Sequence, residues 1–185
     1  MTEQQPYVVL RSEPDYELRS YPEHVIAETE VEGSFESAGN SAFRPLVSYI
    51  SGTNAAGSSM AMTAPVVQHG SPVDVSDERT VSDASTPGRY VVAFVLPADV
   101  APGTAPVPTD TRVRLRTVPE ERAAAVRFSG RWTESGYRSR VDALMVALER
   151  DGLVPDGPPR FARFDPPWTP WFLRHNEVVV PVTTA

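Results

Sequence analysis

Proline sets the first limit on what this chain folds into. It fills 19 of 185 positions, about 10% against a usual ~5%, and each one fixes φ and removes a backbone donor. The prolines are unevenly spread. Residues 70–88 and 97–110 combine them with Gly, Ser, Asp and Thr, without hydrophobic periodicity, and read as surface loops. Each is flanked by strand-like runs, so both are expected as hairpin excursions rather than domain linkers. A third cluster, Asp165-Pro166-Pro167-Trp168-Thr169-Pro170-Trp171-Phe172, is rich in aromatics as well. It reads as stiff and apolar rather than floppy.

Between the breakers lie two helical stripes. Phe35, Ala38, Ala42, Leu46 and Tyr49 fall on one face of a helix, with Ser34 as its N-cap and Ser51-Gly52 at its end. Phe43, Val47 and Ile50 form a second stripe beside the first. Pro45 interrupts this helix and is expected to kink it, or to cost about 3 kcal/mol. A second helix is expected over 135–150, where Tyr137, Val141, Leu144, Met145 and Leu148 recur at helical spacing. Ser135 or Thr133 caps it, and Gly152 stands at its C-terminal end.

Strand patterns occupy 7–11, 16–21, 24–32, 60–68, 89–96, 111–118, 122–128, 160–164 and 177–182. In 24–32, Val25, Ala27, Thr29 and Val31 point one way and Glu28, Glu30 and Glu32 the other, as a half-buried strand requires. The element order predicts an α+β fold: two ββαββ-like halves, with two long helices covering one mostly antiparallel, curved sheet. One domain spanning 1–185 is expected, long enough to bury a core without staples.

Composition removes several functional classes. With no cysteine, disulfide scaffolds, thiolate metal sites and cysteine nucleophiles are excluded. The net charge of −7, with 17 basic residues that are all arginine, argues against nucleic acid as a partner. No apolar run reaches the ~18 residues that a membrane span needs, and no signal peptide is read at the start. A soluble, cytoplasmic monomer is the expectation.

Catalytic signatures are sparse. The histidines are His24, His69 and His175, and no two share a metal-binding spacing. One imidazole suffices to hold a haem iron axially, however. No nucleophile elbow, P-loop or dinucleotide fingerprint is present. The glutamate row of 28, 30 and 32 reads as a wet strand face, and Met60 and Met62 as core filling. The aromatic cluster carries more information. Trp168, Trp171 and Phe172 with Arg174 either close the end of the core or form a stiff apolar lip edged by a guanidinium. The lip suits a large flat ligand that carries carboxylates.

Four blocks then carry a resemblance. Tyr16-Glu17-Leu18-Arg19-Ser20-Tyr21, Tyr49-Ile50-Ser51-Gly52-Thr53-Asn54 and Met60-Ala61-Met62-Thr63-Ala64-Pro65-Val66 resemble the SOUL/haem-binding-protein family. So does Phe164-Asp165-Pro166-Pro167-Trp168-Thr169-Pro170-Trp171-Phe172-Leu173-Arg174-His175-Asn176-Glu177-Val178. The resemblance implies a distorted antiparallel β-barrel of two similar halves, akin to GyrI-like effector domains. It implies non-covalent binding of haem (heme b) or protoporphyrin IX between the first helix and the loop before the last strand. On this chain the helix face is Asn40, Phe43, Arg44 and Val47, and the opposing loop holds Trp168, Trp171, Phe172, Arg174 and His175.

Two positions depart from the family pattern. Ser20 stands where some members carry a histidine, and His175 where many carry an arginine. The macrocycle is therefore held either without an axial ligand or with His175 or His24 in that role. The implied function is a carrier or buffer, not an enzyme, with Arg44 and Arg174 pairing the propionates. Two alternatives stay open: a GyrI-like hydrolase using Glu177, and a ligand-sensing module reporting to a partner protein.

Overall fold

The computed structural model describes residues 2–70 and 88–184. Most of the loop expected over 70–88 lies outside the described residues. The first strands are β1 (Glu3–Gln4), β2 (Val8–Ser12), β3 (Glu17–Tyr21) and β4 (His24–Gly33), followed by helix α1 (Phe35–Ile50). Next come β5 (Thr63–Ala64), β6 (Val66–Gly70), β7 (Gly88–Val95), β8 (Arg114–Val118) and β9 (Glu121–Phe128). Helix α2 (Glu134–Arg150) leads to β10 (Leu153–Pro155), β11 (Arg160–Arg163) and β12 (Asn176–Thr184), with a 3-10 turn at Trp171–Leu173. The α+β class is as the sequence predicts. No helix among the described residues is long and apolar enough to cross a membrane.

The strands form one ten-stranded sheet in the order β2-β3-β9-β12-β11-β6-β7-β4-β8, with β10 also on β12; β1 and β5 pair separately. The expected ββαββ halves are there, as β3-β4-α1-β6-β7 and β8-β9-α2-β11-β12. Each half gives its first strand to the other: β3 pairs with β9 and β8 with β4, while β6 and β11 join the halves. The barrel needs correction. Strands β2 and β8 remain edges, so the sheet is open. Edges that do not close must be blunted against other chains. Arginines 114 and 116 on β8 and a register shift in β2 between Val9 and Arg11 do this.

Both helices pack on the same face of the sheet. The α1 stripe Ala38, Ala42, Leu46 and Tyr49 meets Val25, Ala27, Val92 and Phe94. From α2, Leu144, Ala147 and Leu148 meet Tyr16, Ala124, Val178 and Val180. Ser34 caps α1 as expected, accepting from the Ser37 N–H. The helix continues through Pro45, which is buried. For α2 the cap is Thr133, whose side chain accepts from the Gly136 N–H.

The opposite face is also covered in its centre, which the alternation in β4 does not predict. Ile26, expected to share the polar face with the glutamates, is buried with Ala93, Val95 and Val118. Beside it, Tyr21, Ala123, Ala125, Ala162 and Val179 form another apolar cluster. The glutamate row itself is structural. Glu28 pairs with Arg116, and Glu30 and Glu32 pair with Arg89.

Candidate functional site

The loop between β11 and β12 is closed by its own backbone. The Phe164 N–H donates to the His175 carbonyl (3.1 Å) and the His175 N–H to Asp165 Oδ2 (2.6 Å). Inside, Thr169 N–H donates to Pro166 O (3.0 Å) and Leu173 N–H to Pro170 O (2.9 Å). Arg174 locks this shape: Nε donates to Thr169 O (2.8 Å) and Nη2 to Pro167 O (2.6 Å). Its guanidinium is thus occupied within the loop, rather than held out for a ligand as the sequence reading had it.

The rings on this stiff loop stand in solvent. Trp168 is 82% exposed, Trp171 49%, Phe172 59% and Leu173 66%. They do not close the core. Soluble proteins rarely leave such a cluster uncovered without a use for it, so the lip reading is the one the geometry favours.

On α1, Asn40, Phe43 and Arg44 are exposed and Val47 is half-buried. Phe43 sets its edge against Phe94, with ring centroids 6.0 Å apart. No ring pair or hydrogen bond among the described residues joins these side chains directly to the loop. The connection runs through two residues that the sequence reading did not single out. Arg163 on β11 lies against α1 at Gly39, where a Cβ would come within 2.3 Å of its Nη1. Its guanidinium lies 4.9 Å from the Trp132 ring, and Arg174 covers the same ring at 4.2 Å. Trp132 is held by Nε1 donating to Asn176 Oδ1 (2.8 Å). The neighbouring Arg131 lies 5.6 Å from the Trp171 ring. A chain of contacts through Arg163, Trp132 and Arg131 therefore runs from α1 to the exposed loop. Arg163 had a sequence signal: it shares the helix-facing parity of Phe161, where an apolar residue belongs.

His175 belongs to a different place. Along β12, Val178, Val180 and Val182 face α2, so His175, Glu177 and Val179 face away from the helices. The expected set is thereby split. Asn40, Phe43, Arg44 and Val47 lie on α1 and Trp168, Trp171, Phe172 and Arg174 on the loop, while the His175 ring lies on the face away from the helices.

There its Nε2 is 2.8 Å from Glu177 Oε1, and its ring stacks on Phe164 at 4.0 Å. Glu177 is also gripped bidentately by Arg19, Nη1 to Oε2 at 2.7 Å and Nη2 to Oε1 at 3.1 Å. Both partners are almost fully buried. Burial alone would raise the Glu177 carboxyl, but His175 and Arg19 outweigh it and hold it below its ordinary value. Tyr21, which accepts from Arg19, is pushed up to about 12 by burial.

This centre adjoins a narrow cleft lined by Tyr7, His24, Val67, His69, Phe164 and Val179 among others. Its volume is about 40 Å³ for water-sized occupants, room for about three waters. Burial lowers the pKa of both His24 and His69. The histidines thus lie on the face away from the helices, and no cluster of metal-binding side chains occurs among the described residues.

The family model described as SOUL heme-binding protein matches residues 2–181. No curated protein sequence is significantly similar to the chain. Among solved structures, the C-terminal domain of EcmrR is similar over 92% of this chain and 99% of its own, at 15% identity and a TM-score of 0.64. An EcmrR–DNA complex matches with 16% identity, 91% of this chain, 57% of that one and a TM-score of 0.63. A Listeria innocua hydrolase matches with 16% identity, 94% of both chains and a TM-score of 0.61. At these identities the structures establish the shared GyrI-like fold.

Proposed function

Because the chain belongs to the SOUL heme-binding protein family, we propose that it binds haem or a related tetrapyrrole reversibly, as a cytoplasmic, monomeric carrier or buffer. The observation that carries this reading is the exposure of Trp168, Trp171 and Phe172 on a loop fixed by its own hydrogen bonds, with Phe43 exposed on α1 as well. A flat macrocycle covers such rings without requiring them to move.

Haem, when bound, would bring a redox-active iron; the chain's own residues contribute ring contact and carboxylate pairing. With all histidines on the other face, the helix side of the sheet offers no imidazole to an iron. Covering roughly 100 Å² on each of four rings gives about 10 kcal/mol at ~25 cal/mol per Å². Lost translational and rotational freedom costs about 4–15 kcal/mol. Ring contact alone therefore roughly breaks even, and a charged contact decides the affinity. The net charge of −7 favours a dissolved carrier over an aggregating one.

The hydrolase alternative rests on Glu177. A carboxylate held ionised by Arg19 and His175 is a weak proton acceptor, since general bases work best with a pKa near the operating pH. This supports the non-catalytic reading. Titration with haem and with metal-free protoporphyrin IX, followed by tryptophan fluorescence, tests it. Quenching by both, with affinities within about tenfold, is expected. Binding of haem alone would refute it, because iron ligation would then carry the affinity.

A further inference from the structure

Arg163 is the most anomalous charge in the molecule. It is 7% exposed, and it belongs to none of the ion pairs among the described residues. One Nη accepts no compensation beyond the Gln68 side-chain oxygen, to which it donates. Its Nε is the one buried side-chain nitrogen or oxygen among the described residues without a hydrogen-bond partner. Around it are rings: Trp132, Phe161 and Phe35, at 4.9, 5.1 and 6.0 Å.

A buried charge without a counter-ion is strongly unfavourable, and folded proteins pair such groups or place them where a ligand does so. Glu36 attracts Arg163 through space but forms no ion pair with it, and its carboxylate already accepts the Glu134 N–H at 2.9 Å. Arg174 adds a second positive charge on the far side of Trp132. Burial first, and then the charge of Arg174, lowers the Arg163 pKa to about 10, so it stays cationic at neutral pH.

Space has been left for this side chain. At Gly39 any Cβ would meet Nη1, and Gln68, itself fully buried, is turned to accept from the guanidinium while donating to Phe35 O at 2.9 Å. The cation thus sits between α1 and Trp132.

We propose that Arg163 is the anion-binding residue between α1 and the aromatic loop and pairs with a carboxylate of the bound tetrapyrrole. The inference rests on the tetrapyrrole reading and replaces Arg44 and Arg174 as the main charged contact. Arg44 is exposed, where an ion pair contributes little. Arg174 is tied to its own loop. Arg163 is desolvated already, so a carboxylate reaching it meets a strong, charge-assisted donor.

The test compares protoporphyrin IX with its dimethyl ester, read by tryptophan fluorescence, on wild type, Arg163→Met and Gly39→Ala, each with a thermal melt. In wild type the diacid binds about tenfold to a hundredfold more tightly than the ester. Arg163→Met closes that gap, and its melting temperature holds or rises because an unpaired buried charge is gone. Gly39→Ala, which displaces the guanidinium without removing it, narrows the gap and keeps the reading testable if the methionine variant misfolds. A gap that persists in either folded variant, or that is missing in a wild type binding both ligands, overturns the role of Arg163 and leaves the tetrapyrrole reading intact. If wild type binds neither compound, the tetrapyrrole reading fails and this proposal falls with it.

Discussion

Replacing Arg19 by methionine separates a structural role for the Arg19–Glu177 pair from a catalytic one. The two groups are 3% and 2% exposed and bonded at 2.7 and 3.1 Å. Removing one partner of such a pair strands the other charge, at a typical loss of 3–5 kcal/mol, roughly. His175 Nε2 stays 2.8 Å from Glu177, so the lower end of that range applies. At roughly 2–4 °C per kcal/mol for a chain of this length, the melting temperature at pH 7 drops by about 6–12 °C. The pH dependence gives a second handle. In wild type, Glu177 is held below its ordinary value of 4.5, so its contribution is present above that pH and fades as pH falls through the folded-state value. Without Arg19, burial is opposed by His175 alone and the carboxyl rises. The folded variant then takes up protons at a higher pH than folded wild type does, and its deficit against wild type shrinks between pH 7 and pH 5. Urea and thermal unfolding at both pH values measure this. Arg19→Met combined with Glu177→Leu recovers most of the loss, since an apolar pair of similar volume fills the site. A deficit below about 1 kcal/mol that is the same at both pH values would refute the reasoning, and would mean the pair is not buried as described.

Removing the His175 imidazole leaves protoporphyrin IX affinity within about twofold, because the ring faces Glu177 across the sheet from α1; stability falls by about 1–3 kcal/mol. Fluorescence titration and a melt check both numbers. Trp168→Ala and Trp171→Ala weaken porphyrin binding by about tenfold each while moving stability within ±0.5 kcal/mol, roughly, as expected of exposed side chains. Below pH 6.5 wild type loses stability, since burial keeps His24 and His69 neutral when folded while the unfolded chain takes up protons. Melts of His24→Gln/His69→Gln over pH 5–7 flatten that slope.

Much of the architecture was legible because each helix buries one narrow stripe. All five residues of the Phe35–Tyr49 pattern are buried, and the ββαββ order follows from where Pro and Gly interrupt strand patterns. The exchange of first strands was not legible. It depends on pairings such as β3 with β9, a hundred residues apart, and residue pattern does not state which edge a strand joins. Nor was the open sheet, since β2 and β8 read as ordinary strands and only their failure to meet leaves the barrel unclosed.

The site was half legible for a related reason. Alternation assigns a face only when one side of a strand is polar, and the run Val178-Val179-Val180 is buried on both sides. Its parity is fixed instead by long-range contacts. Trp132 bonds Asn176 on the helix side, and Arg19 bonds Glu177 on the other. Composition therefore finds the aromatic loop but not the direction in which His175 points. The single block from Phe164 to Val178 consequently serves two faces at once. Its tryptophans stand exposed on the loop, and its His-x-Glu anchors the interior across the sheet. Arg163, one residue before that block, links them: its neighbour Phe164 stacks on His175, while its own guanidinium lies against Trp132. A substitution at 163 accordingly acts on the contacts between α1 and Trp132, and one at 175 or 177 on the opposite centre, although Arg163 and Glu177 lie on paired strands and His175 directly precedes the second.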